Sequence, residues 1–222
     1  MKKIAIFQEN LTVGGIQKSL INLLNNLDYS KVSVDCYVVN DVNFYTEGIS
    51  KKVKLKKLIA LPKICKYLPF FLVKYFYNPK IYEKYDVTID FSSYSQETSI
   101  AAIKTKSDKK YIMCHDQMLE RMKHEIKYKY LVFMNKEKYK FFDSVIAVSK
   151  NSLNEFNTYF KKNDTYVLPN IVDDKVIKEL KKEVERLDNK YVNSDDLKTK
   201  EQKAKEKGFS IPNNPTYIDL KN

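Results

Sequence analysis

Histidine and cysteine, whose side chains are suited to proton transfer, nucleophilic attack and metal binding near neutral pH, are few in this chain. There are two histidines, His115 and His124, and three cysteines, Cys36, Cys65 and Cys114. His115 closes an apolar run at residues 110–115 and is followed by Asp116. An imidazole at the end of a buried strand can hydrogen-bond a substrate hydroxyl or shuttle a proton; the plainer reading is a ring satisfied by a backbone group. Cys114 does not make a nucleophile pair with it, because consecutive strand residues point to opposite faces. His124 stands among Lys and Glu and reads as a solvated helix residue. The odd cysteine count, the long spacings and the lack of a CxxC argue against a disulfide scaffold and against zinc. A reducing cytosol fits them.

Two loops gather further candidates. Gly14-Gly15 separates an apolar run from an amphipathic stretch. Glycine lets a ligand approach the backbone, and a helix start offers N–H groups and a positive dipole end to phosphate; a plain tight turn would use the same residues. Neither GxGxxG nor GxxxxGK(S/T) is present, so a dinucleotide fingerprint and a P-loop are both unsupported. Asp90, Ser92, Ser93 and Tyr94 follow another apolar run, where they either line a site or cap the next helix.

These positions need elements to hold them. Residues 3–8, with Ile4, Ile6 and Phe7, read as a buried strand. Ile16, Leu20, Ile21, Leu23, Leu24 and Leu27 recur at helical spacing after the glycines, and residues 32–39 read as a second strand. Strand, glycine turn, helix and strand form a βαβ unit of a parallel sheet. The alternation continues, with strands at 53–59, 87–91, 110–115, 144–148 and 165–168 and helices at 95–104, 118–141 and 151–160. The expected fold is α/β: a Rossmann-like, doubly wound, mostly parallel sheet over residues 1–173. The candidates then fall at the carboxyl ends of strands, where such sheets bind ligands.

Beyond residue 173 the composition changes. Residues 174–207 are dominated by Lys, Glu and Asp and predict exposed helices, too poor in large apolar side chains to form a domain. Residues 209–212 read as a turn and 216–220 as one short strand. The expectation is a charged helical linker or tail over residues 174–222, ending where a further domain would open.

The formal net charge is +12, from 40 Lys and Arg against 28 Asp and Glu. Such an excess favours an acidic partner, although a lysine-rich surface alone also produces it. Residues 51–84 concentrate the charge. Between Lys51 and Lys84, lysines alternate with Tyr67, Phe70, Phe71, Tyr75, Phe76 and Tyr77, and Glu83 is the one acid. Basic and aromatic residues together suit the interface of an anionic membrane; the alternative is a helix pair packed on the sheet with a basic outer face. No nucleic-acid motif accompanies the segment, which leaves nucleic acid the weakest partner. The first apolar stretch is interrupted at Gln8 and Glu9, shorter than a signal peptide needs. Nowhere do apolar residues run to the roughly 18 of a membrane-spanning helix. The expected location is cytoplasmic, peripheral on the inner face of the plasma membrane.

In order along the chain, five segments resemble the N-terminal domain of family-4 retaining glycosyltransferases with the GT-B fold. KIAIFQENLTVGGIQKSLINLL resembles the first strand, glycine loop and helix; YDVTIDFSSYSQETS a middle strand and its rim loop; YIMCHDQ the strand ending in histidine. FDSVIAVSKNSLNEF and YVLPNIVD resemble the last βαβ and its Pro-Asn exit. The resemblance implies a nucleotide-sugar donor, no metal or other cofactor, retention of anomeric configuration, and a first domain that mainly holds the acceptor. That acceptor is a glycan or lipid-linked sugar of cell-surface polysaccharide synthesis. The resemblance also implies that His115 is the catalytic residue near the reacting sugar and that Gly14 and Gly15 face the donor diphosphate. Gln17, Ser92, Ser93, Tyr94 and Asp116 complete the substrate-binding set. The family's second domain adds basic residues and an E-x7-E pair on the donor, and no two glutamates here stand eight apart. The expectation is a truncated glycosyltransferase, or half of a split one with a separately encoded donor domain, inactive in transfer by itself. The reading from a different class is a non-catalytic membrane-surface or interaction module with the same fold.

Overall fold

In the computed structural model, residues 1–40, 48–160 and 164–171 are described, and beyond them positions 178, 181, 182 and 184–186. The sheet grows outward from its first strand. In β1 (Lys2–Gln8), Ala5 and Phe7 enter one core while Ile6, with Ile4 beside it, enters another, as the two-residue period of a strand requires. The other strands are β2 (Val32–Val38), β3 (Lys54–Lys57), β4 (Tyr85–Asp90), β5 (Ser107–Cys114), β6 (Ser144–Ala147) and β7 (Thr165–Val167). All seven pair in parallel, in the order β3-β2-β1-β4-β5-β6-β7. Ile6 stands across from Cys36 on β2 and Ile89 on β4. Strands buried on both faces in this way read as nearly continuous apolar runs. The strand order reverses between β1 and β4, which makes their carboxyl ends a topological switch point.

Helices cover both faces. On one, α1 (Gly15–Asn26) lays Leu20, Ile21 and Leu24 against Ile6, Val34 and Cys36. On the other lie α3 (Gln96–Lys104), α4 (Met118–His124), α5 (Ile126–Asn135) and α6 (Lys150–Phe160), whose Ala101, Met118, Val132 and Phe156 close over Phe7, Ile112 and Val145. Each large apolar side chain so buried contributes about 1.5–3 kcal/mol. Between β3 and β4, a 3-10 turn at Lys63–Tyr67 and α2 (Phe70–Phe76) pack Cys65, Phe70 and Val73 on Ile100 of α3. Ser95 caps α3, its hydroxyl accepting from the Thr98 amide at 3.3 Å, a contact of about 1 kcal/mol.

One element differs from the sequence expectation. The single helix expected over 118–141 is α4, α5 and a 3-10 turn at Lys136–Phe141. Glu125 takes an extended backbone, φ −122° and ψ 96°, ending α4 and starting α5. The Arg121 guanidinium grips its carboxylate through two hydrogen bonds of 2.9 and 3.2 Å. With this break, Met118 before it and Tyr128 and Val132 after it all reach one core. Residues 51–84 open with the strand expected at 53–59 and continue into two short helical elements, the 3-10 turn and α2. That strand, β3, is lysine-rich and lies at the sheet edge, where charge discourages edge-to-edge pairing. Lys56 is turned inward, its Nζ 2.9 Å from Asp35 Oδ2 and 2.8 Å from Glu83 Oε1.

The chain divides into two units, Met1–Val172, which holds the sheet, and Asp173–Asn222. In the second unit the six described positions are helical. The rest of the expected tail helices, the turn at 209–212 and the strand at 216–220 lie outside the described residues.

Candidate functional site

At the carboxyl end of β1 the chain folds into a loop tied by one side chain. Asn10 Oδ1 accepts from the Thr12 amide at 3.3 Å, the Thr12 hydroxyl at 2.6 Å and Gln17 Nε2 at 2.8 Å. Gln17 therefore bends back over the start of its own helix. A Cβ on Gly14 would lie 2.3 Å from Gln17 Oε1, so Gly14 makes room for that bend; around Gly15 the space is open. Among the described residues no side chain caps α1, and its first turn has no acidic residue. The positive end of its dipole is thus unmatched at the strand edge.

After β4 the chain turns through Phe91, Ser92 and Ser93. Asp90 is fully buried and accepts from the Ser93 amide at 3.1 Å and the Ser99 hydroxyl at 2.5 Å. Ser92 is buried beneath the turn, its amide donating to Phe7 O at 3.3 Å. Ser93 has φ 55°, a left-handed conformation costing a side-chain-bearing residue roughly 1–2 kcal/mol. Its amide is held by Asp90, and its carbonyl accepts from the buried Lys138 ammonium. Burial pushes the Asp90 carboxyl up and the Lys138 ammonium down, and each charge opposes the other's shift.

After β5 comes His115. Its Nε2 is 2.7 Å from Phe91 O, and its ring lies 4.9 Å from the Phe91 ring. A carbonyl only accepts, so Nε2 carries the proton and Nδ1 is left as an acceptor. Nδ1 is buried and, among the described residues, has no partner. Burial holds the ring below the ordinary histidine range, so it is neutral at pH 7. Cys114 is a buried thiol pushed up to about 12 by desolvation, which rules it out as a nucleophile at neutral pH. His124 is exposed on α4, 3.1 Å from Glu120.

Beside this rim, a cavity of about 270 Å³ opens against α4, α5 and the 3-10 turn after α5. Its polar wall is Glu9, Tyr94, Asp116, Arg121, Asn135 and Lys138, and Met118, Leu131 and Val132 supply apolar surface. Asp116 Oδ2 accepts from the Tyr128 hydroxyl at 3.1 Å and from Arg121 at 3.4 Å. The Arg121 guanidinium lies 4.1 Å from the centre of the Tyr128 ring and 5.6 Å from that of Tyr94. Burial, then the Asp116 carboxylate, pushes both tyrosines far above their usual range, so both stay protonated.

Of the residues singled out in the sequence, Ser93, Tyr94 and Asp116 line this cavity. Gly14, Gly15, Gln17, Ser92 and His115 lie at the same carboxyl edge of the parallel sheet, outside the cavity wall. Sequence reasoning missed Glu9, Arg121, Tyr128, Asn135 and Lys138. Arg121 carried a readable signal, being one of two arginines in a chain that otherwise uses lysine. Nothing marks Lys138 among the neighbouring lysines of KEKYK. Among the described residues, no group of three or more His, Cys, Asp or Glu could hold a metal ion. Among them too, no helix is long and apolar enough to cross a membrane.

No family model and no curated protein matches the sequence. Among solved structures, the chain is similar to Anabaena HepE in complex with UDP-glucose, with a TM-score of 0.50 and 16% identity, over 78% of this chain and 45% of that one. The apo form of the lipopolysaccharide outer core galactosyltransferase WaaB gives a TM-score of 0.47 at 15% identity, over 77% of this chain and 46% of that one. The chain spans less than half the length of HepE. With seven parallel strands covered on both faces, residues 1–171 have a Rossmann-like, GT-B glycosyltransferase-like fold.

Proposed function

We propose that this chain is the acceptor-side half of a retaining glycosyltransferase. It would move a sugar from a nucleotide-sugar donor, without a metal, to a glycan or lipid-linked acceptor of cell-surface polysaccharide synthesis. The observation that carries this reading is His115: a neutral imidazole with an unpartnered Nδ1 at the switch-point edge of the sheet. The fold is like that of HepE, whose structure holds UDP-glucose. His115 Nδ1 accepts from a hydroxyl of the transferred sugar and orients it while the acceptor hydroxyl displaces the nucleoside diphosphate. Charge grows on the departing diphosphate and needs donors aimed at it. Gly15 and the uncapped start of α1 supply N–H groups from this side; a second domain, on the same polypeptide or separately encoded, supplies the rest.

One face favours a membrane role in addition. Ile64, Tyr67, Phe71, Tyr75 and Phe76 are all more than half exposed, and Lys63 and Lys74 stand among them. The Tyr130 hydroxyl donates to Tyr67 O at 3.1 Å, which joins exposed Tyr130 and Phe133 of α5 to the same face. This composition docks on an anionic membrane and presents the cavity to a lipid-linked acceptor. If the chemistry is lacking, the same face makes the chain a membrane-surface module. Nucleic acid is the weaker partner, since Lys56, Lys66 and Lys84 are already paired with carboxylates.

Amide chemical-shift mapping with soluble glycan acceptors tests the site. The expected shifts cluster at residues 91–94, 114–121 and 131–138. Shifts scattered elsewhere, or none, overturn the acceptor-side reading.

A further inference from the structure

We infer that the cavity recognises an uncharged sugar ring through one hydroxyl that donates to Asn135 Oδ1 and accepts from Lys138 Nζ. This deepens the acceptor-side reading and rests on it.

The argument begins with an unmet hydrogen bond. Asn135 is 7% exposed and lines the cavity. Its Nδ2 donates to Leu131 O at 2.7 Å, which fixes the orientation of the amide. That leaves Oδ1 buried and, among the described residues, without a partner. A buried acceptor left unmet costs about 1–3 kcal/mol, so a ligand that supplies a donor gains what the empty site lacks. Three residues on, Lys138 is 4% exposed and lines the same cavity. An ammonium has three donor hydrogens, and among the described residues Lys138 has one hydrogen-bond acceptor, Ser93 O. One acceptor and spare donors, on two residues that line one cavity, match a hydroxyl, which both gives and accepts. A fully ionised phosphate or a carboxylate has no proton to give Asn135.

Charge pairing points the same way. Arg121 is held by Glu125 and Asp116. Glu9 is 3.2 Å from Lys66. Lys138 feels the buried Asp90 carboxylate. Arg121 and Glu9 are paired, and the Asp90 carboxylate opposes the Lys138 charge, so an anion gains less here than beside an unopposed cation. The volume, about 270 Å³, lies just below the ~300–1,000 Å³ range of drug-sized sites and suits one ring. Met118, Leu131 and Val132 offer apolar surface to the C–H face of that ring.

The test measures binding of neutral methyl hexopyranosides, the matching hexose 6-phosphates and hexuronates to the full chain, by calorimetry and ligand-observed NMR. The expected result is that at least one neutral glycoside binds more tightly than its charged counterparts. Asn135→Ala should weaken it about fivefold to tenfold, as loss of one hydrogen bond predicts. One monodeoxy glycoside should bind weakly to the wild type and lose nothing further in Asn135→Ala, a coupling that a merely structural role would not produce. Tighter binding of the charged sugars, or an affinity indifferent to Asn135→Ala, overturns the hydroxyl site and leaves the acceptor-side reading standing. No binding by any glycoside overturns both.

Discussion

The Nε2–H of His115 donates to the carbonyl oxygen of Phe91 across 2.7 Å, so the residue that follows β5 is locked to the turn after β4. That one contact sets the tautomer, leaves Nδ1 as the acceptor nitrogen and accompanies a buried, neutral ring.

Stability should therefore fall toward acid in a way that depends on His115. Its folded pKa is depressed by burial. As the pH drops below the ordinary histidine value of about 6.5, the unfolded chain takes up a proton before the folded one. The unfolded state then binds more protons, and folding free energy is lost. Urea denaturation of wild type and His115→Gln across this range should show a difference that narrows toward acid. Parallel curves would mean that the ring is not buried in its neutral form.

Arg121 should behave as an organiser of the cavity wall. Replacing it with Ala removes the grip on Glu125, the contact to Asp116 and the stacking on Tyr128. We expect a loss of about 1–2 kcal/mol in stability and weaker glycoside binding. Arg121→Lys should rescue little, because a point charge cannot reproduce a bidentate, stacked guanidinium. Thermal melts and binding titrations check both.

The fold was legible where burial on both faces leaves continuous apolar runs. Ile4, Ile6 and Phe7, then the helical repeat from Ile16 to Leu27, announce β1 and α1, and the parallel sheet follows. The break at Glu125 was not legible, because the apolar periodicity runs across it and an Arg–Glu pair four apart also supports an unbroken helix. Within the site, residues at strand ends could be found from the strand pattern, which yields His115, Asp116 and the Ser92–Tyr94 turn. Asn135 and Lys138 reach the cavity from a helix end and a 3-10 turn. Their role depends on which way the chain bends after Glu125, a tertiary fact with no local signal.

Lys56 makes a stability prediction opposite to a surface lysine's. Burial alone would raise the Asp35 carboxyl, but the Tyr85 hydroxyl at 2.6 Å and Lys56 at 2.9 Å outweigh it and hold the pKa below the usual range. A depressed acid stabilises the fold above the ordinary value of about 3.9, and the gain is lost as the pH falls through the folded value. Asp35→Asn should cost about 2–3 kcal/mol at pH 7 and flatten this acid limb. Lys56→Met should also destabilise, whereas exposed Lys54→Met should not.

The exposed aromatic face predicts salt-sensitive attachment to anionic vesicles. Each lysine near such a surface contributes about 1 kcal/mol. Co-sedimentation with phosphatidylserine vesicles should fall steeply with salt and with the double replacement Phe71→Ser, Tyr75→Ser, and neutral vesicles should bind poorly. Equal binding to neutral and anionic vesicles would remove the electrostatic part of the account.

The most direct test of the central claim is sugar transfer itself. The purified chain should be incubated with a panel of labelled nucleotide sugars and lipid-linked or glycan acceptors, alone and with a donor-binding domain. The account predicts no transfer by the chain alone, because the growing charge on the diphosphate is met mainly from the other side of the cleft. With the donor domain added, it predicts transfer that His115→Ala reduces by at least about tenfold. Turnover by the chain alone, or transfer indifferent to His115, would contradict it.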